Sequence, residues 1–295
     1  MATSTLVLAA PRVLAGMLMA LAGALGYTAM DTLVKLLTAR LPPVQILLIV
    51  YLVGVLPPLV WCLATGNGTA LRSRRPLVQL VRGLAMLLAS ALFFHALSRL
   101  PLADAYALLF TMPLIITALS VPMLGERVGW RRLGAVLVGF AGVLVMLRPG
   151  SGMIEPAALG VLGCAAAAGF SNVLIRRFGA VESAESFVVY GNLIAVAGTL
   201  PFAAAVWVTP QAAELPLLLT AGLLGGLAGL AVTTAYRVAP AAVVAPFQYM
   251  QMPGGLLVGY LLFGDLPEAL MLLGAAIIIG SGLYILHREA RLGGG

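Results

Sequence analysis

Arg99-Leu100-Pro101-Leu102-Ala103 opens a stretch that closes on Leu124-Gly125-Glu126, and Val238-Ala239-Pro240-Ala241-Ala242 opens another that closes on Phe263-Gly264-Asp265. Pro101 and Pro240 stand 139 residues apart, and so do Gly125 and Gly264. The same offset joins Gly83 to Gly222, Ala89 to Ala228, Ala96 to Ala235 and Phe110 to Tyr249. Two copies separated by an odd number of membrane spans lie upside down relative to each other, an arrangement on which many secondary transporters are built.

The surrounding sequence is membrane material. It has 295 residues, 62% of them hydrophobic and 9% charged, with a mean hydropathy of +1.08, too apolar for a soluble domain with a polar surface. The apolar runs are about twenty residues long and rarely alternate, which predicts helices rather than barrel strands. Turns and charges divide the chain into about ten spans. They run near Val13 to Leu37, Val44 to Ala64, Pro76 to Leu97, Ala103 to Met123, Trp130 to Leu147, Pro156 to Ile175, Ala184 to Trp207, Leu215 to Tyr236, Ala241 to Phe263 and Glu268 to Leu286. Five spans, the fourth to the eighth, separate the copies, so the reading is two inverted five-helix repeats, residues 1–150 and 151–295.

Lysine and arginine test that topology independently. With the N-terminus inside, the inner loops collect Arg12, Arg72, Arg74, Arg75, Arg82, Arg127, Arg131, Arg132, Arg176, Arg177, Arg237, Arg288 and Arg291, and the outer side keeps Lys35, Arg40, Arg99 and Arg148. Thirteen cations against four place both termini in the cytoplasm. The net charge of +7 is accounted for by these dispersed topology signals, which argues against a nucleic-acid partner. The first apolar run is longer than a signal-peptide core and is read as a retained span.

No Walker loop, HExxH, CxxC or GxSxG is present, so neither ATP hydrolysis nor a metal or cofactor is implied. His95, within the third span, and His287, after the last, give no geometric support for a metal site, and Cys62 and Cys164 both fall inside spans, so no structural disulfide is expected. The scattered ionisable groups also argue against a membrane enzyme, which concentrates carboxylates or histidines at one membrane face.

Polar groups within spans are expensive in hydrocarbon, so they pair or face a cavity. Asp31 and Lys35 are four apart on one helix and are expected to form a charge pair. Ala245-Pro246-Phe247-Gln248-Tyr249-Met250-Gln251-Met252-Pro253 puts two amides and a tyrosine between two prolines, where each proline frees a backbone carbonyl and bends the helix. This reads as a cavity wall. The fourth span answers with Tyr106, Phe110, Thr111 and Pro113, and Tyr27, His95, Phe170 and Asn172 are placed opposite. The expected substrate-binding set is therefore Tyr27, His95, Tyr106, Phe110, Phe170, Asn172, Gln248, Tyr249 and Gln251, with Pro101, Pro113, Pro240, Pro246 and Pro253 as hinges. Glycines 222, 225, 226 and 229 are expected to allow close helix approach. Those of the fifth and tenth spans are read as packing positions, against a second protomer if the chain is a homo-oligomer.

Pro-Leu-Ala-Asp-Ala at 101–105, Leu-Gly-Glu-Arg at 124–127, Arg-Pro-Gly at 148–150 and Ala-Pro-Phe-Gln-Tyr at 245–249, with the half-chain architecture, resemble the EamA branch of the drug/metabolite transporter superfamily. Within it the chain is similar to YddG-type amino-acid exporters. The resemblance implies an all-α integral membrane protein of ten helices around a central cavity, multi-pass in a bacterial inner membrane. The first, third, fourth, sixth, eighth and ninth helices would line the cavity, with the fifth and tenth outside. One departure is Tyr51, where many relatives carry an arginine in the second span. The expectation is export of amino acids, aromatic and other, by alternating access, in a lipid bilayer and without a cofactor. The alternatives are other small metabolites or drugs, and nucleotide sugars or sugar phosphates, whose transporters should show inward-facing cations.

Overall fold

A twenty-residue apolar run can satisfy its backbone hydrogen bonds in lipid only within itself, so it must coil. The computed structural model describes residues 3–124, 130–147, 156–239, 244, 247, 251–264 and 268–292, and among them every regular element is helical. In chain order they are α1 (Thr3–Leu37), α2 (Pro43–Gly54), α3 (Leu56–Ala64), α4 (Pro76–Leu97), α5 (Leu102–Leu109), α6 (Met112–Leu124), α7 (Trp130–Leu147), α8 (Pro156–Phe178), α9 (Ala184–Ala205), α10 (Glu214–Val238), α11 (Gln251–Val258) and α12 (Ala269–Leu292). Seven stretches of the described residues are long and apolar enough to cross a membrane: Leu14–Leu37, Pro43–Ala64, Pro76–Leu97, Asp104–Leu124, Pro156–Phe178, Ala184–Ala205 and Glu214–Val238. The chain is a multi-pass membrane protein.

Two of those spans are broken helices. Between α2 and α3 the regular helix is interrupted at Val55, just before Pro57 and Pro58. Proline 58 has no N–H to offer the Gly54 carbonyl four residues back, and Gly226 of α10 packs there so closely that a Cβ on it would come within 2.5 Å of that oxygen. Between α5 and α6 the chain turns at Phe110 and Thr111. Pro113 follows, and the Thr111 hydroxyl donates to the Leu108 carbonyl over 2.9 Å, satisfying an acceptor at the break. α11 is followed by a π-helical turn, Gly259–Phe263, which stops at Gly264 with φ of 69°. That left-handed stop is what glycine permits. Pro240, Pro246, Gln248, Tyr249, Gly125, Glu126 and Asp265 lie outside the described residues.

α1 packs mainly on α10, α4 on α8 and α9, α2 on α9 and α10, and α6 on α8. α7 and α12 pack on each other. A Cβ on Gly142 would meet the Gly274 carbonyl at 2.9 Å and Ile278 at 3.0 Å, so this glycine serves contact within one chain rather than with a second protomer.

The connections gather into two groups, one at each end of the helices. At one end Lys35 donates to the Leu100 carbonyl over 2.7 Å, Gln45 exchanges hydrogen bonds with the Val208 backbone at 2.6 and 2.9 Å, and Arg40 pairs with Glu214 at 3.3 Å. At the other end Glu182 is buried and accepts from the backbone N–H of Arg74 at 2.8 Å and of Arg75 at 2.6 Å, and from Gln79 at 2.9 Å. Burial alone would raise the Glu182 carboxyl, but the hydrogen bonds from Gln79, the Arg74 and Arg75 backbone and Ser186 outweigh it and hold it below its ordinary value. Arg177 reaches the Met123 carbonyl at 2.9 Å and Arg237 the Gly179 carbonyl at 3.1 Å at this same end. Each contact joins helix ends or connections at one end of the bundle.

The expected Asp31–Lys35 pair does not form. Asp31 accepts from the Tyr106 hydroxyl at 2.8 Å, while Lys35 reaches the Leu100 carbonyl and lies 5.2 Å over the Phe263 ring. Lys35 is nearer the end of α1, where its long stem can carry the ammonium towards the interface; the short Asp31 side chain stays buried and finds a partner on the neighbouring helix.

Candidate substrate cavity

α1 and α4 each present one stripe inward. On α4, Arg82, Met86, Ser90 and Phe94 recur every four residues and so share a face; on α1, Ala20, Ala24, Tyr27 and Asp31, spaced four, three and four apart, also share one. These stripes border two adjoining chambers. One, of about 120 Å³, is closed by Tyr51 of α2, Phe187, Gly191 and Asn192 of α9, and Gly225, Gly226 and Gly229 of α10. The other, of about 150 Å³, is bounded by Asp31, Phe93, Met112, Cys164, Asn172 and Gln251. Tyr27, Met30, Met86, Ser90 and Phe94 line both.

The first chamber contains a cation. Arg82 is 6% exposed. Its Nη1 donates to the Phe187 carbonyl at 2.7 Å, its guanidinium lies 5.0 Å over the Phe187 ring, and its Nε is buried without a partner. The Tyr51 and Ser90 hydroxyls are hydrogen-bonded to each other on the same wall. The second chamber contains a carboxylate. Tyr106 holds Asp31 Oδ2 and stacks on Phe93 with ring centroids 6.1 Å apart, and Asp31 Oδ1 is buried without a hydrogen-bond partner. Tyr106 needs the space left by Gly255, where any Cβ would collide with its ring.

Of the residues expected from sequence, Tyr27, Asn172 and Gln251 stand on the chamber walls. Asn172 donates to the Met112 sulfur at 3.8 Å. Tyr106 lies one layer behind, touching the cavity through Asp31 and Phe93. Phe110 is 2% exposed and belongs to the packed core, and Phe170 borders neither chamber. His95 is a correction: it is exposed on α4, because the inward stripe runs through Ser90, Phe93 and Phe94 and position 95 turns to the other side. Pro101 precedes α5, Pro113 lies in the first turn of α6 and Pro253 in the first turn of α11. Gln248 and Tyr249 are outside the described residues.

Sequence reading grouped Arg82 with the loop arginines, named it beside Lys35 only as a near candidate for an inward-facing phosphate-binding cation, and left it out of the substrate-binding set. A signal was present, since Arg82 follows the helix start at Pro76 by six residues, about 9 Å into the span at 1.5 Å per residue. It also missed the α4 series Met86, Ser90 and Phe94, whose members are individually unremarkable in an apolar helix.

Residues 14–148 match the model of the EamA-like transporter family. The chain is 35% identical to a riboflavin transporter of Rhizobium johnstonii over 75% of its own length and 74% of that protein. It is 30% identical to the pseudopaline exporter CntI of Pseudomonas aeruginosa over 90% of its length and 93% of the exporter. The chain belongs to the EamA-like transporter family. It is thereby a membrane transporter of the drug/metabolite transporter superfamily. An S-adenosylmethionine uptake transporter of Rickettsia bellii is 28% identical over 90% of each chain. EamA-like relatives thus carry names for chemically different cargoes and for both directions of movement, so cargo must be argued from the cavity itself.

Proposed function

We propose that this EamA-like protein carries amino acids, aromatic and other, across a bacterial inner membrane by alternating access, with export as its direction. The reading rests on one observation: Asp31, whose Oδ1 is buried without a hydrogen-bond partner, borders a chamber lined largely by apolar side chains, among them Phe93, Phe94 and three methionines. A buried carboxylate oxygen without a partner is costly. A substrate ammonium satisfies it, with the Asn172 and Gln251 amides alongside and Phe93, Phe94, Met30 and Met112 accepting an apolar side chain. Gln248 and Tyr249 are proposed to complete the wall. S-adenosylmethionine, the cargo named for one relative, carries the same amino-acid head group.

The proposed architecture is ten spans in two inverted repeats, residues 1–150 and 151–295, with both termini cytoplasmic. The thirteen-to-four cation bias supports that orientation, and the sorting of loop contacts to two ends supports the alternation it requires. Motion is proposed to use the proline breaks: Pro101 and Pro113 in the first repeat, and Pro240, Pro246 and Pro253 in the second.

The test is counterflow of labelled methionine, phenylalanine and threonine in proteoliposomes, against unlabelled riboflavin and S-adenosylmethionine. Saturable amino-acid exchange that is lost in Asp31→Asn is the expected result. Riboflavin exchange with no amino-acid flux overturns the reading.

A further inference from the structure

Arg82 is an unusual group to bury 9 Å or so into a span. Among the described residues no carboxylate lies within salt-bridge distance of it. Glu182, beside the start of α4, is taken up by the Arg74 and Arg75 N–H groups, Gln79 and Ser186. A guanidinium offers five N–H donors in a rigid fork; one of these is accepted by the Phe187 carbonyl, and the buried Nε has no partner. Fastening α4 to α9 through one carbonyl needs only one neutral donor, so beyond its contact with the Phe187 ring the charge has no counterpart in the packing.

The surroundings make room for an anion. Gly191 lets the α9 backbone lie beside the guanidinium without a side chain pressing on it, since a Cβ there would stand 3.1 Å from Nη1. Hydroxyls from Tyr27, Tyr51 and Ser90, and the Asn192 amide, border the same space. We infer that this first chamber is a carboxylate subsite, in which the Arg82 fork receives the substrate's carboxylate. The inference rests on the amino-acid reading above and adds a second station to it. Asp31 borders only the second chamber and Arg82 only the first. A small amino acid therefore meets the two charges in succession as it passes between chambers, whereas an elongated zwitterion meets them together.

The experiment compares methionine with methioninamide and methionine methyl ester as competitors of methionine counterflow in proteoliposomes. In the unaltered protein the free acid competes on the order of tenfold better than the amide or ester, the ratio expected for one charge-assisted hydrogen-bonded contact. Arg82→Gln brings the three within about twofold of one another, and Arg82→Lys keeps part of the discrimination. Gly191→Ala, which presses on the guanidinium without removing it, lowers the ratio in the same direction and serves where the arginine variants do not fold. Undiminished discrimination in Arg82→Gln, or in Gly191→Ala where Arg82→Gln yields no folded protein, overturns the subsite and leaves the amino-acid reading standing. Absence of methionine counterflow in the unaltered protein overturns both.

Discussion

The Tyr106 hydroxyl on α5 donates to Asp31 Oδ2 on α1 across 2.8 Å, and both residues are buried. This contact binds the first helix to the broken fourth span at the level of the cavity. Removing the hydroxyl strips the carboxylate of its one observed side-chain partner while leaving the ring, its stacking on Phe93 and its fit against Gly255 in place.

Tyr106→Phe is therefore expected to lower stability by about 1–3 kcal/mol, the range for losing a hydrogen bond to a buried charged group. Thermal unfolding in detergent measures it. An unchanged midpoint would show that the hydrogen bond carries no net stability.

Glu182 makes the fold sensitive to acid at one end. Its carboxyl is held below the ordinary value, so the stability it contributes is present above the unfolded-state value and is lost as pH falls through the folded one. Glu182→Ala leaves the Arg74 and Arg75 N–H groups without this acceptor and is expected to cost about 1–3 kcal/mol at neutral pH. The cost should shrink on acidification. A difference from the unaltered protein that stays constant between neutral and acid pH contradicts the assignment.

Gly142→Leu separates scaffold from cavity. The new side chain meets the Gly274 backbone and Ile278, so overpacking should destabilise the α7–α12 pair by about 1–3 kcal/mol. α7 and α12 border neither chamber, so substrate affinity of the folded fraction should not move. A changed half-saturation concentration for methionine counterflow is the contrary outcome.

His95→Ala should change stability by less than about 0.5 kcal/mol, as for other exposed positions without special contacts, and should leave counterflow unaltered. A loss of substrate affinity would return His95 to the cavity wall that sequence reading assigned it.

Much of the scaffold was legible because apolar length and punctuation by proline, glycine and charge are local signals. The third span runs from Pro76 to Leu97 in both the reading and the structure. The break at Val55 was not read, since Pro57 and Pro58 lie inside a run that remains apolar throughout. The cavity was harder, because its walls depend on rotation about each helix axis and on partners distant in sequence. Asp31 and Lys35 are neighbours on one helix and looked paired, while Tyr106, the actual partner of Asp31, lies 75 residues away. Arg82 looked like a topology signal because a positive charge near a span end has the same composition whether it faces headgroups or a chamber.

α10 carries its constraints in neighbouring rows. Leu215, Leu219, Leu223 and Leu227 form an exposed ridge at four-residue spacing, where any apolar side chain of similar bulk meets lipid equally well. Gly222 and Gly226, one turn apart, press on Val53 and on the Gly54 carbonyl, where even a methyl group has no place. A single helix thus holds one row of positions free to drift over generations and another that is fixed. The fixed row lies against the interruption of the second span, beside its own prolines.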